Sequence, residues 1–454
     1  MSKNILGIDL GTSSVKLLLR QSNGKLIKSK AKYSSQSPQG FLDAVKEASK
    51  NLDLSALDAI GLSSQVGTYI VNNKDVISWN SPVGKDELSE IKSKFSRETF
   101  INEISMPHPD IISYHIPRLL YIKRNFKNIK SICQPKDYLC LALTGNCVTD
   151  KFSCRGIAHM QNCSYSRFFL DYIGIDKSVL PEIINPEEFA GYTTKSCADI
   201  LGLPSGVPVF AGLNDFFASL SGMEISNTGD MFDITGTSEH IGIISDSLSP
   251  DTSLVSGPYF EKFVHYGVTA SSGASLDFGL REFGLDDISL DQILKNSPPV
   301  FTPYVNGERA PIYDANAKGV FFGINSDCTK KELGYAVLEG VAFSIYHIYE
   351  TMGAPTSDSI TVSGGSSKNM LLNTIKAELF NKNILLLKEN DTSALGAVKA
   401  AAKGMGIADS INSIQECIKP RGKYTQLLLK RYNIYKKIHS SLKDEFVNWK
   451  GIDN

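Results

Sequence analysis

Two short segments of the chain share a pattern of residues that could bind phosphate groups. In residues 5–16, and again in residues 230–238, an apolar run and an aspartate lead into a Gly-Thr-Ser turn. An apolar run that enters and leaves a glycine-containing turn indicates a β-hairpin. Glycine lets a ligand approach the backbone closely, and adjacent N–H groups and hydroxyls can bind phosphate oxygens. The two turns, which begin at Gly11 and Gly236, predict a nucleotide held between two related half-molecules.

Two aspartates are placed to support phosphoryl transfer, which asks a protein mainly for positioning and for stabilisation of charge. Asp9 precedes the first turn, and we expect its carboxylate to hold Mg²⁺ through water, because magnesium keeps much of its hydration. Asp215 follows an apolar run at a predicted strand-to-helix junction, where catalytic groups of α/β sheets occur. It is a candidate for the base that accepts a proton from an attacking hydroxyl. The position also suits a helix N-cap, and the local sequence leaves both alternatives open.

A second glycine-rich junction occurs late in the chain, where Ser-Gly-Gly-Ser at 363–366 ends a predicted strand and opens a helix. Such a junction combines close backbone approach with the positive end of a helix dipole, which favours a nucleotide contact. The chain contains neither a Walker-type phosphate loop nor the glycine-rich loop and His-Arg-Asp of protein kinases. If ATP binds, a different architecture must hold it.

The elements that position these residues alternate between strand and helix. In the first half the patterns predict strands at 5–9, 57–63 and 207–211, a hairpin of 15–19 with 26–30, and helices at 40–52, 116–125, 135–143 and 216–223. In the second half they predict strands at 359–362 and 384–387 and helices at 269–283, 330–352, 369–379, 392–403 and 423–449. We expect Glu339 and Gly340, a polar and small pair, to interrupt the second of these helices.

Composition sets the class of protein. The chain has 454 residues, 42% of them apolar and 21% charged, with a net charge of −1. This length predicts two or three domains, and the charge gives no basic field that would attract nucleic acid or an anionic membrane. We find no apolar run of the roughly 20 residues that span a bilayer, and the first four residues lead directly into a strand, which argues against a signal peptide. We therefore expect a cytoplasmic protein with a small-molecule partner, and we leave open whether it forms a homodimer.

The eight cysteines also indicate a reducing compartment. Four of them recur every seven residues, at Cys133, Cys140, Cys147 and Cys154. No Cys-x-x-Cys pair is present, and Thr-Gly-Asn at 144–146 would break a helix through the set. We expect buried free thiols here rather than a zinc site.

An ordered series of further motifs runs through nearly the whole chain. It comprises Gly-Ile-Asp-Leu-Gly-Thr-Ser at 7–13, Pro-Lys-Asp-Tyr-Leu at 135–139, Leu-Thr-Gly at 143–145, Val-Phe-Ala-Gly-Leu-Asn-Asp at 209–215, Gly-Thr-Ser at 236–238, Pro-Tyr-Val-Asn-Gly-Glu-Arg-Ala-Pro at 303–311, Ala-Lys-Gly-Val-Phe-Phe-Gly at 317–323, Leu-Glu-Gly-Val-Ala at 338–342 and Ser-Gly-Gly at 363–365. The series resembles the FGGY carbohydrate kinases, and the segments at 303–323 resemble the xylulokinase branch most. The resemblance implies an α/β fold of two actin-like (ribonuclease H-like) ATPase domains with a cleft between them, residues 1–224 on the sugar side and 225–454 on the ATP side.

The resemblance also implies a role for each matching residue in an ATP- and Mg²⁺-dependent kinase that transfers the γ-phosphate to a hydroxyl of a ketose. Asp9 would help to hold Mg²⁺, and Asp215 would be the base. The nucleotide would contact Gly11, Thr12 and Ser13 from one side, and Gly236, Thr237, Gly364, Gly365 and Asn369 from the other.

The chain departs from the family pattern on the sugar side. Pentulose kinases usually show Gln-Met-His-Gly where this chain has Gln65, Val66 and Gly67, and Trp-Asn-Asp with a following arginine where it has Trp-Asn-Ser-Pro-Val from Trp79. Tyr114 and His115 could supply replacement contacts. The set of sugar-binding residues that we expect is Gln65, Val66, Trp79, Tyr114, Asn214 and Asp215.

These departures leave alternatives for the function. A less hydroxylated substrate, such as a deoxyketose of the L-fuculose type, or a polyol would suit a pocket that has lost polar partners. An alternative of another class is an actin- or chaperone-like ATPase without a sugar substrate. Such proteins need an appended peptide-binding domain or assembly surfaces, and the sequence shows no appended domain.

Overall fold

The computed structural model of the protein describes residues 3–107, 111–160, 162–285, 289–407 and 412–450. It divides into two compact units. The N-terminal unit comprises Met1–Glu224 and Asp391–Asn412, and the C-terminal unit comprises Ile225–Asn390 and Ser413–Asn454. The resemblance implied domains of residues 1–224 and 225–454; in the structure the segment Asp391–Asn412 packs with the N-terminal unit.

The N-terminal unit alternates strands and helices, as the sequence pattern predicted. Its strands are β1 (Ile5–Leu10), β2 (Ser14–Arg20), β3 (Leu26–Lys32), β4 (Ala59–Ser64), β5 (Tyr69–Val71), β6 (Asp75–Ile77), β7 (Ile132–Cys133), β8 (Val148–Asp150), β9 (Ala158–His159), β10 (Ser164–Tyr165), β11 (Glu182–Ile184), β12 (Phe189–Tyr192) and β13 (Pro208–Asn214). Its helices up to residue 224 are α1 (Pro38–Ser49), α2 (Lys85–Lys94), α3 (Arg97–Ile104), α4 (His115–Asn125), α5 (Pro135–Thr144), α6 (Arg167–Ile173), α7 (Lys195–Leu201) and α8 (Asp215–Gly222).

The main sheet of this unit brings the predicted functional residues to one edge. Its strand order is β12-β13-β4-β1-β2-β3. Strand β4 runs parallel to β1, with Asp9 beside Ser63, and parallel to β13, with Asn214 beside Ser64. The carboxyl ends of parallel strands meet at the same edge, so the ends of these three strands carry Asp9, Gln65 and Asp215 to that edge.

The C-terminal unit has a second sheet, of strand order β16-β17-β15-β14-β20-β21-β22. The strands of the unit are β14 (Met231–Thr235), β15 (His240–Ser245), β16 (Val255–Tyr259), β17 (Lys262–Val268), β18 (Val300–Thr302), β19 (Val320–Phe322), β20 (Ser359–Gly364), β21 (Asn383–Leu387) and β22 (Ile414–Ile418). Its helices are α9 (Ser272–Phe283), α10 (Leu290–Ile293), α11 (Lys330–Thr351), α12 (Met370–Phe380) and α14 (Thr425–Lys450). As in the first sheet, an antiparallel hairpin lies beside a parallel strand, because β14 pairs with both β15 and β20.

Helix α13 (Thr392–Gly404) joins the N-terminal unit through glycine contacts. A Cβ atom on Gly61 of β4 would lie 1.8 Å from the carbonyl oxygen of Ala397, and one on Gly396 would lie 1.8 Å from that of Ala218 in α8. The helix therefore packs with its backbone almost directly against a strand and another helix. These contacts join residues far apart in the chain, which local sequence patterns do not predict.

Helix α11 is continuous, so the predicted interruption at Glu339 and Gly340 is wrong. Glu339 is fully buried, and its two carboxylate oxygens accept hydrogen bonds from Nε and Nη2 of Arg431 on α14, both at 2.6 Å. Gly340 lies where a Cβ would be 2.4 Å from the carbonyl oxygen of Phe301. Both residues serve the packing of a helix whose sides are nearly all buried.

Two further features concern partners. Among the described residues, no helix is long and apolar enough to cross a membrane. All eight cysteines are free, and the described part of the chain contains no group of three or more His, Cys, Asp or Glu residues that could hold a metal ion.

Candidate active site

The first Gly-Thr-Ser turn connects β1 to β2 and is held from behind. Gly11 N–H donates to the Ser14 carbonyl oxygen at 3.1 Å, and the hydroxyl of Tyr33 donates to the Gly11 carbonyl oxygen at 3.0 Å. Nε1 of Trp79 donates to the Thr12 hydroxyl at 3.3 Å. Thr12 and Ser13 are themselves exposed. The turn is thus fixed by the unit while its outer groups stay accessible to a ligand.

Asp9 lies at the end of β1 with its carboxylate oriented by two hydroxyls. The side chain is 3% exposed. Its Oδ1 accepts from the Ser63 hydroxyl at 3.0 Å, and its Oδ2 accepts from the Ser393 hydroxyl at 2.6 Å. Ser393 comes from α13, so the segment that returns to this unit helps to orient the carboxylate. Neither serine was expected from the sequence, because both depend on contacts between distant segments.

Asp215 is the first residue of α8, and it is not the helix cap. The cap is Asn214, whose side-chain oxygen accepts from Phe217 N–H at 3.1 Å, while Asp215 accepts from Phe216 N–H at 2.8 Å. This excludes the N-cap alternative for Asp215. Burial, and then the negative charge of Asp9, raise the pKa of Asp215 to about 7. A carboxylate with this pKa can both accept and release a proton near neutral pH.

Gln65 and Val66, two of the predicted sugar-binding residues, directly follow β4. Gln65 is 2% exposed, and neither its Nε2 nor its Oε1 has a hydrogen-bond partner among the described residues. Val66 is half-buried. A buried amide without partners costs about 1–3 kcal/mol, so an unpaired Gln65 points to a missing ligand.

The loop that carries Trp79 receives a guanidinium from another element. Arg118 on α4 is fully buried, and its Nη2 donates to the carbonyl oxygens of Trp79 at 3.0 Å and of Ser81 at 2.8 Å. Burial lowers the pKa of the Arg118 guanidinium. The sequence showed that this loop lacks the arginine of the family pattern, and the structure shows that Arg118 contacts the loop from outside. No local motif signals this, because α4 begins more than thirty residues later.

Tyr114 and His115, the expected replacement contacts, differ in their surroundings. His115 is 5% exposed, and its Nδ1 shares a hydrogen bond with the Tyr69 hydroxyl. Burial lowers the pKa of His115 to about 4, so the ring is neutral at physiological pH. Tyr114 packs its ring against Gly156, where an added Cβ would lie 3.2 Å from Cδ1. His115 therefore supports the packing of this region, and Tyr114 is the more accessible of the two.

The C-terminal unit contains a cavity of about 910 Å³. Four residues predicted to contact the nucleotide line it: Gly236, Thr237, Gly365 and Asn369. Its lining also includes Lys368, Arg421 and Tyr424, which the sequence analysis did not select. Lys368 could have been found from its position just after the glycine pair, whereas Arg421 and Tyr424 lie in a segment without any motif. The volume is ample for a nucleotide.

The glycines around this cavity have different duties. Gly364 has a φ of +92°, and an added Cβ would lie 2.0 Å from the carbonyl oxygen of Thr235, so it permits the close contact of β20 with β14. Gly365 has no atom within 4 Å of such a Cβ. Gly273 at the start of α9 donates its N–H to the Thr237 carbonyl oxygen at 3.0 Å, which fixes the second turn. Of the adjacent pair, Gly365 is therefore the residue open to a ligand.

The aspartate of the second hairpin, Asp233, forms an ion pair with a buried lysine. Asp233 Oδ2 lies 2.6 Å from Nζ of Lys376 on α12, and the same ammonium contacts Glu239. All three side chains are almost fully buried. Burial and the nearby Glu239 raise the pKa of Asp233 well above its ordinary value. Asp233 thus holds the hairpin to α12.

Comparisons with known proteins agree with this arrangement of two sheets and two turns. Residues 4–222 match the N-terminal domain, and residues 232–405 the C-terminal domain, of the FGGY family of carbohydrate kinases. The chain belongs to this family, and the predicted α/β two-domain fold is confirmed. It is a sugar kinase, a phosphotransferase of a family that uses ATP with Mg²⁺.

Three relatives illustrate the similarity. The xylulose kinase of Lactococcus lactis subsp. lactis (strain IL1403) is 29% identical over 90% of this chain and 89% of its own length. The solved structure of ligand-bound xylulose kinase from Lactobacillus acidophilus has a TM-score of 0.85 at 23% identity, covering 98% of this chain and all of that one. The structure of gluconate kinase from the same organism also gives 0.85 at 23% identity, over 99% and 100% of the two chains. The shared fold alone therefore does not decide which sugar is bound.

Proposed function

We propose that the protein phosphorylates a ketose of the xylulose type at a primary hydroxyl, with Asp215 as the base. The observation that carries the proposal is the position of Asp215, which follows β13 at the sheet edge where the parallel strands β1 and β4 also end, with Asp9 and Gln65. Burial and the charge of Asp9 raise the pKa of Asp215 to about 7. A base of that pKa is suited to proton transfer at neutral pH. The names of the curated relatives, xylulose kinases over most of their length, support the choice of a ketose.

The reaction needs only proton movement and positioning from this chain. The substrate hydroxyl oxygen attacks the γ-phosphorus, its proton passes to a carboxylate oxygen of Asp215, and the bond from the γ-phosphorus to the bridging oxygen of ADP breaks. The exposed groups of Thr12 and Ser13 would bind phosphate oxygens from the N-terminal unit, while Gly11 holds the turn through its hydrogen bonds to Ser14 and Tyr33. Gly236 and Thr237 would do so from the C-terminal unit, whose cavity would hold the rest of ATP.

The residues at the end of β1 fit a magnesium ion. Burial, and after it the negative charge of Asp9, raise the pKa of Asp215, so two carboxyl groups lie close together where a divalent cation would relieve their repulsion. Asp9 would hold the ion through water, in keeping with the preference of Mg²⁺ for retained hydration. When bound, the ion would neutralise charge on the phosphates. Ser63 and Ser393 orient the Asp9 carboxylate for this role through their hydrogen bonds.

One screen distinguishes the possible substrates, which are ketoses, deoxyketoses and polyols. A coupled assay of ADP release over ketopentoses, deoxyketoses and polyols, ranked by kcat/KM, separates a xylulokinase-like enzyme from a kinase of deoxyketoses or polyols. The match to both domains of the FGGY family excludes the actin- or chaperone-like ATPase without a sugar substrate. We also propose a cytoplasmic location, which the eight free cysteines support.

The test of Asp215 is its replacement by asparagine, which keeps the shape but cannot accept the proton. In Asp215→Asn, kcat should fall by about 10²–10⁴-fold while the Kd for ATP stays within about twofold of wild type. Asp171→Asn, at a side chain that is 71% exposed in the same unit, is the matched control and should leave kcat unchanged. Undiminished turnover in Asp215→Asn would remove Asp215 from the assigned role.

A further inference from the structure

Three buried side chains of the N-terminal unit have polar atoms that no described residue satisfies. Arg118 makes other hydrogen bonds, to the carbonyl oxygens of Trp79 and Ser81. The side chains of Gln65 and Arg155, in contrast, make none with any described residue. Gln65 is 2% exposed, and both atoms of its amide lack partners. Arg155, in the loop between β8 and β9, is 7% exposed, and its Nε and Nη2 lack partners. Buried polar groups are nearly always hydrogen-bonded in folded proteins, so two such side chains in one unit point to a ligand.

The strand register places Gln65 beside Asp215. Asn214 at the end of β13 pairs with Ser64 at the end of the parallel strand β4. Gln65 and Asp215 are the next residues along these two strands. Both therefore leave the sheet at the same edge and at the same level.

The loop that carries Arg155 is hydrogen-bonded to the end of β13, next to Asp215. Nδ2 of Asn214 donates to the carbonyl oxygen of Phe152 at 2.9 Å, which fixes the loop that leads to Arg155. The guanidinium carbon of Arg155 lies 5.1 Å from the ring centre of Phe217, on the first turn of the helix that begins at Asp215. The Arg155 side chain is thus anchored next to the helix that carries the proposed base.

A single glutamine connects the loop of Arg155 to the segment after Gln65. Oε1 of Gln134 accepts from Gly67 N–H at 3.1 Å, and its Nε2 donates to the Ser153 carbonyl oxygen at 2.8 Å. Gly67 and Ser153 are each two residues from one of the unpartnered side chains. Gln65 and Arg155 are therefore held on segments that cannot move apart without breaking this bridge.

The unsatisfied atoms are mostly donors. Arginine can only donate, and glutamine offers one acceptor oxygen beside its amide N–H groups. The hydroxyls of a polyol all carry protons that need an acceptor, whereas the carbonyl oxygen of an open-chain ketose only accepts. A donor-rich pair of side chains therefore matches a ketose better than the polyol that differs from it only at the carbonyl carbon.

We propose that Arg155 selects ketoses over polyols by donating from Nε and Nη2 to the carbonyl oxygen of the sugar, while Gln65 binds a neighbouring hydroxyl. The assignment rests on the proposed sugar kinase activity and narrows its substrate class. It adds Arg155, which has no counterpart among the residues expected from the family pattern, as a specificity-determining residue.

The experiment compares the ketose ranked first in the screen with the polyol obtained by reducing its carbonyl (xylitol in the case of xylulose). The wild-type ratio of kcat/KM, ketose over polyol, should be on the order of 10–100, because the polyol hydroxyl brings a proton for which this donor-rich pair offers a single acceptor, and an unsatisfied buried group costs about 1–3 kcal/mol. In Arg155→Met the ratio should fall to near 1, mainly through a higher KM for the ketose. Arg155→Lys, which keeps the charge but loses the fork of donors, should fall between the two.

Arg167→Met, at a side chain that is 93% exposed, is the matched control and should keep the wild-type ratio. Binding of the ketose without nucleotide, followed as a shift in melting temperature, gives a readout that does not depend on catalysis. An unchanged ratio in Arg155→Met or Arg155→Lys overturns the assignment. A wild-type protein that phosphorylates both substrates equally also overturns it but leaves the sugar kinase activity standing, whereas no phosphorylation of any sugar or polyol overturns both.

Discussion

At the scale of single residues, the two hairpins carry matching aspartates with opposite surroundings. Asp9 is oriented by the hydroxyls of Ser63 and Ser393. Asp233 instead contacts the buried ammonium of Lys376. Hydroxyls orient a carboxylate without neutralising it, whereas a buried ammonium cancels its charge. The carboxylate of the first hairpin is thus free of any cation among the described ion pairs and suits the proposed magnesium ion, whereas the carboxylate of the second hairpin serves packing.

The raised pKa of Asp215 predicts a pH-dependent stability difference. The unfolded chain ionises this carboxyl near pH 4 and the folded chain near pH 7, so its contribution to stability is full below pH 4 and is lost as the pH rises through about 7. The Asn side chain never ionises. In the absence of Mg²⁺ and nucleotide, Asp215→Asn should therefore melt close to wild type at pH 4.5 and above it at pH 8.

Thermal unfolding from pH 4.5 to 8.5 measures this difference, with Asp171→Asn as the exposed control. The gap in melting temperature should widen across the range and level off above about pH 7.5. A gap that stays constant with pH would mean that the Asp215 carboxyl does not ionise near neutrality.

At the scale of elements, the two adjacent glycines at the end of β20 have different roles, one in packing against β14 and one at the cavity. Gly364 sits where β20 touches the backbone of Thr235, and its φ of +92° is one that other residues adopt at a cost. Gly365 follows in the short turn that leads to α12 and lines the cavity. The first glycine therefore serves the packing of the sheet, and the second is open to the proposed nucleotide.

Alanine at these two neighbouring positions should have opposite effects. Gly364→Ala should lower the free energy of unfolding by about 2–5 kcal/mol, through steric overlap and left-handed backbone strain. Gly365→Ala should change it by no more than about 0.5 kcal/mol, yet raise the KM for ATP by on the order of tenfold, equivalent to about 1.4 kcal/mol. Urea unfolding and steady-state kinetics on both variants check this. Equal effects on stability would contradict the division of duties.

At the scale of the whole molecule, the chain leaves the N-terminal unit at residue 224 and returns to it for one helix. Helix α13 covers β1 and β4, where added Cβ atoms on Gly7 and Gly61 would lie 2.2 Å and 1.8 Å from carbonyl oxygens of the helix. It also supplies Ser393 to Asp9. The first 224 residues alone therefore lack both part of their packing and part of the site.

This arrangement predicts which fragment can fold. Residues 1–224 alone should unfold without cooperativity, whereas residues 1–224 joined to 391–412 should unfold cooperatively. The junction is short, because Gly222 lies beside the start of the returning segment, with a Cβ position 2.1 Å from the Thr392 carbonyl oxygen. A Gly/Ser linker of about six residues, which reaches roughly 20 Å, is sufficient.

Circular dichroism during thermal unfolding distinguishes the two fragments. The joined fragment carrying Gly396→Leu is the control, since a larger side chain at that position meets the Ala218 carbonyl oxygen and should abolish the gain. Cooperative unfolding of residues 1–224 alone would show that α13 is dispensable.

Much of this fold could be predicted from the sequence, because its signals are local. The hairpin after Asp9 and the strand that ends at Asn214 follow from apolar runs bounded by turn residues, and the structure confirms both within a few residues. The turns at Gly11 and Gly236 were found in the same way. What local patterns could not supply are contacts between distant segments.

The missed residues of the candidate site illustrate this limit. Arg118 and Arg155 carry no motif. The importance of Arg118 depends on its hydrogen bonds to the loop of Trp79, and that of Arg155 on Nε and Nη2 atoms that have no partner among the described residues. The same holds for Ser393, which reaches Asp9 from a helix at the far end of the chain. Burial and pairing are properties of the tertiary structure, and no spacing in the sequence encodes them directly.

The detour of the chain between Glu224 and Asp391 has a consequence for its synthesis. A ribosome that adds about 5–20 residues per second needs on the order of 10–40 s to pass from residue 224 to the end of the returning helix. During that interval the face of the first sheet that α13 covers stays exposed, and it can associate with other unfolded chains. Chaperones that shield such faces should therefore matter more for the yield of this protein than for one whose domains are contiguous.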